Sequence, residues 1–187
     1  MLNTIKPARG RLLVSEPFIA DPNFKRSVVL ITTHDEEGTI GFILNQPEKI
    51  RLKDVLPDTL DAQNKIYFGG PVQTDSIFFI HRCYDKMLSG EAIGGGIYWG
   101  GNFETLKILV NTNAISESEI KFFVGYSGWG EEQLQQELEQ NAWMVSDIPN
   151  PDNIFSAGDE KLWRDVVVNL GPKYAHIGNF PSDPSLN

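Results

Sequence analysis

The sequence predicts an α+β protein built on a mixed β-sheet. Apolar, β-branched segments of strand length outnumber helical patterns, the early segments follow one another through short connections, and the helical patterns cluster late in the chain. A doubly wound fold would instead alternate strands and helices throughout. With 187 residues, of which 41% are hydrophobic and 22% charged, the chain is expected to form one domain over residues 1–187.

Six segments have strand character. The first ends at Glu16-Pro17, because proline lacks a backbone donor and restricts the residue before it. The second and third are separated by the five residues 34–38 and predict a hairpin. Gly69-Gly70, after the fourth, predicts tight backbone geometry, and the sixth is apolar at nearly every position, as in a strand covered on both faces. In chain order the segments are 11–15, 27–33, 40–44, 65–68, 76–81 and 120–126.

Three later segments carry helical patterns, and the glycine-rich stretch 94–101 before them predicts a loop or bent strand. Asn102 is the expected N-cap of the first helix. The second helix, from about residue 130 to 141, is polar, and the third begins at an Asp159 cap and ends at Gly171-Pro172. Their apolar stripes are Phe103, Leu106, Leu109 and Val110; Leu134 and Leu138; and Leu162, Trp163, Val166, Val167 and Leu170.

The charge balance argues against nucleic-acid binding. Lys and Arg number 16 against 25 Asp and Glu, which gives a formal net charge of −9. Duplex DNA attracts proteins chiefly through basic faces that release its counterions. The densest basic stretch, 49–53, is expected to be a solvated turn or helix start.

The single cysteine, Cys83, rules out an internal disulfide and leaves no cysteine-rich zinc site. This composition favours a reducing cytoplasm. The N-terminal residues lack a charged segment followed by an apolar core, and the longest apolar runs are of strand length. Neither export nor association with a membrane is therefore expected.

Four motifs stand in order along the chain, and together they resemble the AlgH/YqgE family of bacterial proteins. The likeness covers roughly residues 9 to 171, and each motif alone is a weak signal. The motifs are GRLLVSEP at 10–17 with DPNF at 21–24, GTIGFILNQP at 38–47, FGGPV at 68–72, and GYSGW at 125–129 with Gln133-Leu134 and Asn141-Ala142-Trp143.

This resemblance implies a bacterial cytoplasmic protein in which a bent, mixed, mostly antiparallel sheet forms a pseudo-barrel flanked by helices. It does not imply an enzyme, since members of the family generally lack an assigned activity. The AlgH name reflects a proposed role in transcriptional control of exopolysaccharide synthesis. With no helix-turn-helix pattern carrying basic residues on its second helix, such a role would be indirect here.

One segment invites an enzymatic interpretation. In residues 125–129 a serine, Ser127, follows a strand and precedes a helix, as in the nucleophile elbow of α/β-hydrolases, and Asp159 and His176 follow in the matching order. The elbow pattern G-x-S-x-G fails, however, because Trp129 occupies its last glycine position. The structural alternative is that Ser127 caps the helix that contains Gln133.

Three other features suggest chemistry only weakly. Glycine-rich stretches can bind phosphate, but 94–96 lacks the spacing of a known phosphate-binding loop. Gly69-Gly70 is the better candidate, and a turn between strands is its simpler interpretation. The loop at 34–37 carries one His and three acidic residues, yet adjacent side chains diverge, whereas a metal site needs convergence. Arg82 beside Cys83 could lower the pKa of that thiol.

We therefore expect a non-enzymatic binding or regulatory protein with neither a cofactor nor a metal, whose partner is a small molecule or another protein. A hydrolase with Ser127 as nucleophile and a direct nucleic-acid binder are the alternatives. Asn45 is the first candidate, because it ends a buried strand, where pockets of sheet proteins often open. The candidate binding residues are Asn45, Gly69, Gly70, Ser127, Trp129 and Gln133.

Overall fold

The computed structural model describes residues 5–59, 62–148, 150–156 and 159–180, so both ends of the predicted domain, 1–4 and 181–187, lie outside the described residues. The strands are β1 Leu12–Ser15, β2 Val28–Asp35, β3 Gly38–Ile43, β4 Pro47–Arg51, β5 Lys65–Phe68, β6 Val72–His81, β7 Glu91–Gly94, β8 Ile97–Trp99, β9 Ile120–Gly130 and β10 Trp143–Ser146. The α-helices are α1 Leu52–Val55, α2 Tyr84–Met87, α3 Phe103–Asn111, α4 Gln133–Glu139, α5 Pro151–Ser156, α6 Asp159–Asn169 and α7 Pro172–Ala175.

The strands form one mixed, mostly antiparallel sheet, which confirms the predicted fold class. Its order is β10-β1-β2-β3-β9-β6-β8-β7, with β4 pairing β5 beside this path. The parallel contact joins β5 to β9 through the Ile66–Phe68 segment, and the other pairings in the described chain are antiparallel. The sheet stays open, and helices flank it.

Strand β9 connects the two parts of this sheet, because its two halves pair with different neighbouring strands. Its first half lies between β5 and β6, and its second half, from Ser127 to Gly130, pairs with β3. Gly125 lies between the halves with φ of +68°, a conformation that favours glycine, and a Cβ there would lie 2.3 Å from the carbonyl oxygen of Gly70. The predicted turn at 127–128 is therefore wrong: Gly128 and Gly130 continue the strand, because β3 supplies their backbone partners.

Two predicted helices are confirmed with their caps or stripes. Asn102 accepts a hydrogen bond from the backbone N–H of Thr105 at 2.9 Å, as expected of the N-cap of α3. On α6, the predicted stripe from Leu162 to Val167 is buried in the largest core cluster, and the indole Nε1 of Trp163 donates to the carbonyl oxygen of Ser15 at 3.0 Å. This contact fixes α6 against β1.

Other elements differ locally from the predictions. The hairpin between β2 and β3 turns at Glu36-Glu37 rather than over five residues, because His34 and Asp35 continue β2. The stretch 94–101 contains the turn of the β7–β8 hairpin, and the basic stretch 49–53 ends β4 and begins α1. None of the described helices has both the length and the apolar character needed to cross a membrane.

Candidate functional site

A groove of about 880 Å³ lies on the surface of the described part of the chain. Three segments form its walls, and Pro71 lies beside them. The segments are the loop 16–24 after β1, the segment 128–144 that contains α4, and the segment 173–180, which includes most of α7. Phe18 and Phe180 face each other at its rim as stacked rings with centroids 5.8 Å apart, and both are more than one-third exposed. The groove therefore presents aromatic surface to solvent.

Trp129 forms the floor of this groove. Strand alternation along the second half of β9 turns Ser127 and Trp129 to the buried face and Gly128 and Gly130 outward. Trp129 is 4% exposed, meets Trp143 edge-on at 5.6 Å, and stacks with Phe24 at 5.8 Å between ring centroids. Trp129 is therefore a buried residue that packs against Trp143.

Glu137 of α4 holds the two tryptophans in place. Its Oε2 atom accepts hydrogen bonds from Nε1 of Trp129 at 2.9 Å and from Nε1 of Trp143 at 2.7 Å. Its Oε1 atom accepts from Nε2 of Gln133 at 2.9 Å. Because hydrogen bonds to a charged acceptor are among the stronger ones, this carboxylate gives the floor a defined orientation.

Gln133 connects the end of β9 to the first turn of α4. Its Oε1 accepts from the backbone N–H of Gly130 at 3.2 Å while its Nε2 donates to Glu137. The sequence indicated Gln133 and missed Glu137, although the spacing of four residues places the two side chains on one helix face. That spacing is the signal from which Glu137 could have been inferred.

Charged groups of both signs surround the apolar centre of the groove. Glu16, Asp21 and Glu137 contribute carboxylates, and Lys173 and His176 lie on the opposite wall. Asp21 also accepts a hydrogen bond from the backbone N–H of Asn23 at 2.9 Å, so this carboxylate helps to shape the loop. The arrangement suits a mainly apolar ligand with a few polar groups.

Asn45, the first candidate, lies outside the groove and joins two backbone segments. Its Oδ1 accepts from the backbone N–H of Val28 at 2.9 Å, and its Nδ2 donates to the carbonyl oxygen of Arg26 at 2.9 Å. Both the oxygen and the nitrogen of the side-chain amide therefore hold the start of β2, where Arg26 has a positive φ of 49°. Asn45 acts as a framework residue.

Gly69 and Gly70 also form framework rather than groove wall. The Gly69 N–H donates to the carbonyl oxygen of Val124 at 2.9 Å, so this amide is not free to bind an anion. A Cβ on Gly69 would lie 2.3 Å from the carbonyl oxygen of Gly125, and one on Gly70 would lie 2.3 Å from the backbone of Tyr126. These glycines are required because the link between β5 and β6 runs directly against β9.

Ser127 is fully buried, and its Oγ donates to the carbonyl oxygen of Gly69 at 2.9 Å. The prediction that it caps the helix containing Gln133 is wrong, because Ser127 lies inside β9 and its side chain bonds to the link between β5 and β6 instead of to α4. The other two residues of the hydrolase hypothesis lie in different surroundings. Asp159 contacts Lys65 at 3.4 Å, and His176 packs edge-on against Phe180. The described contacts thus do not assemble a catalytic triad.

The remaining candidates have structural partners. Oδ1 of Asp35 accepts from the backbone N–H groups of Glu37 and Gly38, and His34 Nδ1 lies 2.7 Å from the hydroxyl of Thr39. Across the described ranges no three His, Cys, Asp or Glu side chains are grouped as metal ligands would be. Cys83 is buried, and burial raises the pKa of its thiol to about 11, opposite to the lowering suggested by Arg82.

The family model described as AlgH-like matches residues 12–175. A UPF0301 protein of Cytophaga hutchinsonii is 39% identical over 180 residues, covering 96% of this chain and 98% of its own length. A UPF0301 protein of Chlorobium limicola is 38% identical over 188 residues and covers 100% of both.

Two solved structures are also similar. The solution structure of the AlgH protein from Pseudomonas aeruginosa is 27% identical, with a TM-score of 0.71 over 95% of this chain and 98% of that one. A crystal structure of a protein from Corynebacterium diphtheriae shares the fold at 23% identity, with a TM-score of 0.78 over 94% of each chain. The first agrees with the resemblance carried by the four motifs, and the second shows the fold alone.

Proposed function

The chain belongs to the AlgH-like family, and from this premise we propose that it is a non-enzymatic binding protein whose ligand occupies the groove over Trp129. The ligand class that suits this site is a small, mainly apolar molecule with a few polar groups. Binding such a molecule is the activity through which the protein would serve a regulatory role. The observation that carries the proposal is the position of the family-like motifs.

Three of the four motifs contribute to this one groove. The first supplies Glu16, Pro17, Asp21 and Phe24 to one wall, and the third supplies Pro71. The fourth supplies the floor and the facing wall with Gly128, Trp129, Gln133, Asn141 and Ala142. Segments more than a hundred residues apart in sequence thus meet around one concave surface, which supports a shared binding role.

The geometry favours binding over catalysis. The volume of about 880 Å³ lies within the range of roughly 300–1,000 Å³ common to small-molecule sites. The floor is already oriented by Glu137, so little conformational freedom is lost when a ligand binds. Ser127, the candidate nucleophile, lies behind this floor with its hydroxyl bonded to Gly69.

Regulation through direct DNA contact is disfavoured by electrostatics. The formal net charge of −9 repels phosphate, and three carboxylates line the groove itself. A role in transcription would therefore act through a ligand or a protein partner. Mobility shifts at low and moderate salt check this statement, since micromolar binding to duplex DNA with a steep salt dependence would contradict it.

Dye binding provides the first test of the groove. Anilinonaphthalene sulfonate should bind the unaltered protein with enhanced fluorescence, because aromatic surface is exposed at Phe18 and Phe180. Replacing Phe18 by Asp should weaken dye binding by about tenfold or more, since it places a charge on the apolar rim. Phe18 is 40% exposed, so the variant should fold.

The matched control is Leu88→Asp. Leu88 is 74% exposed at the end of α2, away from the groove, and its positive φ of 50° suits Asp. Each form would then capture metabolites from its own cell extract for mass spectrometry. We expect the same small molecules on the unaltered chain and Leu88→Asp and their loss from Phe18→Asp. Equal capture by all three proteins would refute the proposal.

A further inference from the structure

A second cavity of about 270 Å³ shares no lining residue with the groove. Its floor is formed by the buried side chains of Tyr67, Lys121 and Phe155, which come from β5, β9 and α5. Lys65 and Glu117 are exposed at its rim. The cavity therefore connects solvent to a lysine that is otherwise enclosed by the protein.

Lys121 is an unusual residue for the interior of a strand. It is 4% exposed, whereas a buried ammonium group normally requires a close counter-ion. Its Nζ donates to the carbonyl oxygen of Ile154 at 3.0 Å and lies 3.9 Å from the centre of the Tyr67 ring. Within the described residues no carboxylate lies within 4.0 Å of this nitrogen.

The protonation of Lys121 follows from these contacts. Burial lowers the pKa of this amine to about 7, against the attraction of Asp159 and with a small further lowering by Lys65. The folded protein therefore holds more of this amine in its neutral form at neutral pH than an exposed lysine, which with a pKa of about 10.4 is neutral in fewer than about one molecule in a thousand. A neutral amine has the free lone pair that nucleophilic attack requires.

Groups that can move protons lie beside the amine. Burial and the nearby Asp159 carboxylate raise the pKa of the Tyr67 hydroxyl, which keeps it protonated. Asp159 contacts Lys65 at 3.4 Å, and its Oδ1 is buried without a hydrogen-bond partner among the described residues. Tyr67 lines the cavity and Asp159 contacts the lysine at its rim, so a hydroxyl donor and a carboxylate acceptor lie near the amine, as carbonyl chemistry on a lysine requires.

We propose that Lys121 is a nucleophilic amine that binds small aldehydes or ketones covalently as an imine. The Nζ lone pair forms a bond to the carbonyl carbon, and the carbonyl oxygen leaves as water with the two amine hydrogens. The product is a C=N bond, and no oxidant or reductant takes part. The small volume of the cavity restricts the substrate to a carbonyl compound of a few carbon atoms.

Reductive trapping tests this proposal on the unaltered protein. Propanal is added with cyanoborohydride near neutral pH, which converts an imine into a stable secondary amine, and the modified residues are mapped by peptide mass spectrometry. Lys121 should be modified about tenfold or more faster than the exposed lysines.

The pH dependence of the modification and its response to unfolding show whether the reactivity of Lys121 comes from the folded cavity or from its neighbours in sequence. The charged or titratable groups facing Lys121 are Lys65 and Tyr67 from β5, Asp159 from α6 and Glu117 at the rim. Modification of Lys121 should level off above about pH 8, while that of exposed lysines continues to rise with pH. In concentrated urea the preference for Lys121 should disappear, because the cavity no longer exists.

Two variants complete the experiment. Lys65→Arg keeps the rim charge without a primary amine and should leave the Lys121 signal intact, whereas Lys121→Met should remove it. Because the main measurement uses the unaltered chain, a folding defect in either variant would not obscure the result. Modification of Lys121 at the rate of exposed lysines, or a preference that persists in urea, would overturn the proposal.

Discussion

Replacing Lys121 by Met should stabilise the protein near neutral pH. Met preserves an unbranched apolar stem but removes the amine that β9 buries. Burial lowers the pKa of Lys121 from 10.5 to about 7, which at about 1.36 kcal/mol per pH unit costs the folded state about 5 kcal/mol. The variant also loses the hydrogen bond to Ile154 and the contact with the Tyr67 ring, together worth about 1–2 kcal/mol. We expect a net gain of about 3–4 kcal/mol.

The sign of the pH dependence follows from proton binding. Between about pH 7 and about pH 10.5 the unfolded chain holds a proton on Lys121 that the folded chain has released. The free energy of unfolding of the unaltered protein should therefore rise with pH across this window, and the cost is fully present below it. The advantage of Lys121→Met should shrink by about 2–3 kcal/mol between about pH 6 and about pH 9.

Urea unfolding followed by the fluorescence of the four tryptophans measures this difference at each pH. Lys53→Met is the matched control, because Lys53 is exposed on α1 and its removal should change stability by the same small amount at every pH. A difference between Lys121→Met and the parent that stayed constant from acid to alkaline pH would refute the reasoning. It would mean that Lys121 remains charged in the folded protein, and the proposed amine chemistry would lose its basis.

Three further predictions concern the framework and the groove. In urea unfolding, Trp129→Ala should cost about 3–5 kcal/mol of unfolding free energy. Trp129→Phe should cost about 1–2 kcal/mol, because it loses only the hydrogen bond to Glu137 and part of the ring. A Trp129→Ala variant as stable as the parent would contradict the role of Trp129 as the floor of the groove. Gly70→Ala should cost about 3 kcal/mol or more in urea unfolding, because its φ is +150° and its Cβ would meet β9 at 2.3 Å. Gly130→Ala, with open space around its Cβ, should cost less than about 1 kcal/mol, and equal costs at the two sites would count against the close-packing argument. A fluorophosphonate probe should leave Ser127 unlabelled, because its hydroxyl is buried and bonded to Gly69, and labelling would restore the hydrolase hypothesis.

The strands and principal helices could be predicted because their signals are local. Apolar periodicity placed β1, β2, β3 and α6, and the cap rule placed the start of α3. The segment from Gly128 to Gly130 was misjudged for a physical reason: two glycines have low intrinsic strand preference. Their conformation is fixed by backbone pairing with Ile40 and Gly38 on β3, about ninety residues earlier in the chain. Such long-range pairing leaves no local signal.

The candidate site was predicted only where one motif held the relevant residues together. Trp129 and Gln133 line the groove, but its third wall comes from the segment 173–180, which no sequence pattern links to them. Lys121 was overlooked because the segment 120–126 was interpreted from its overall apolar character and not residue by residue. A single lysine at a position where both neighbours, Ile120 and Phe122, are buried was the available signal, since such a charge needs a reason to be there.

The family-like motifs divide into two groups with different physical roles. Asn45, Gly69 and Ser127 use their polar atoms or missing side chains to hold β2, β6 and β9 at close distances, and none of them lines the groove. They still affect the site, because the position of β9 at Ser127 determines where Trp129 lies relative to α4. A framework residue can therefore shape the groove without lining it. Binding measurements on framework variants have to be read together with their stability, whereas rim variants such as Phe18→Asp report on recognition alone.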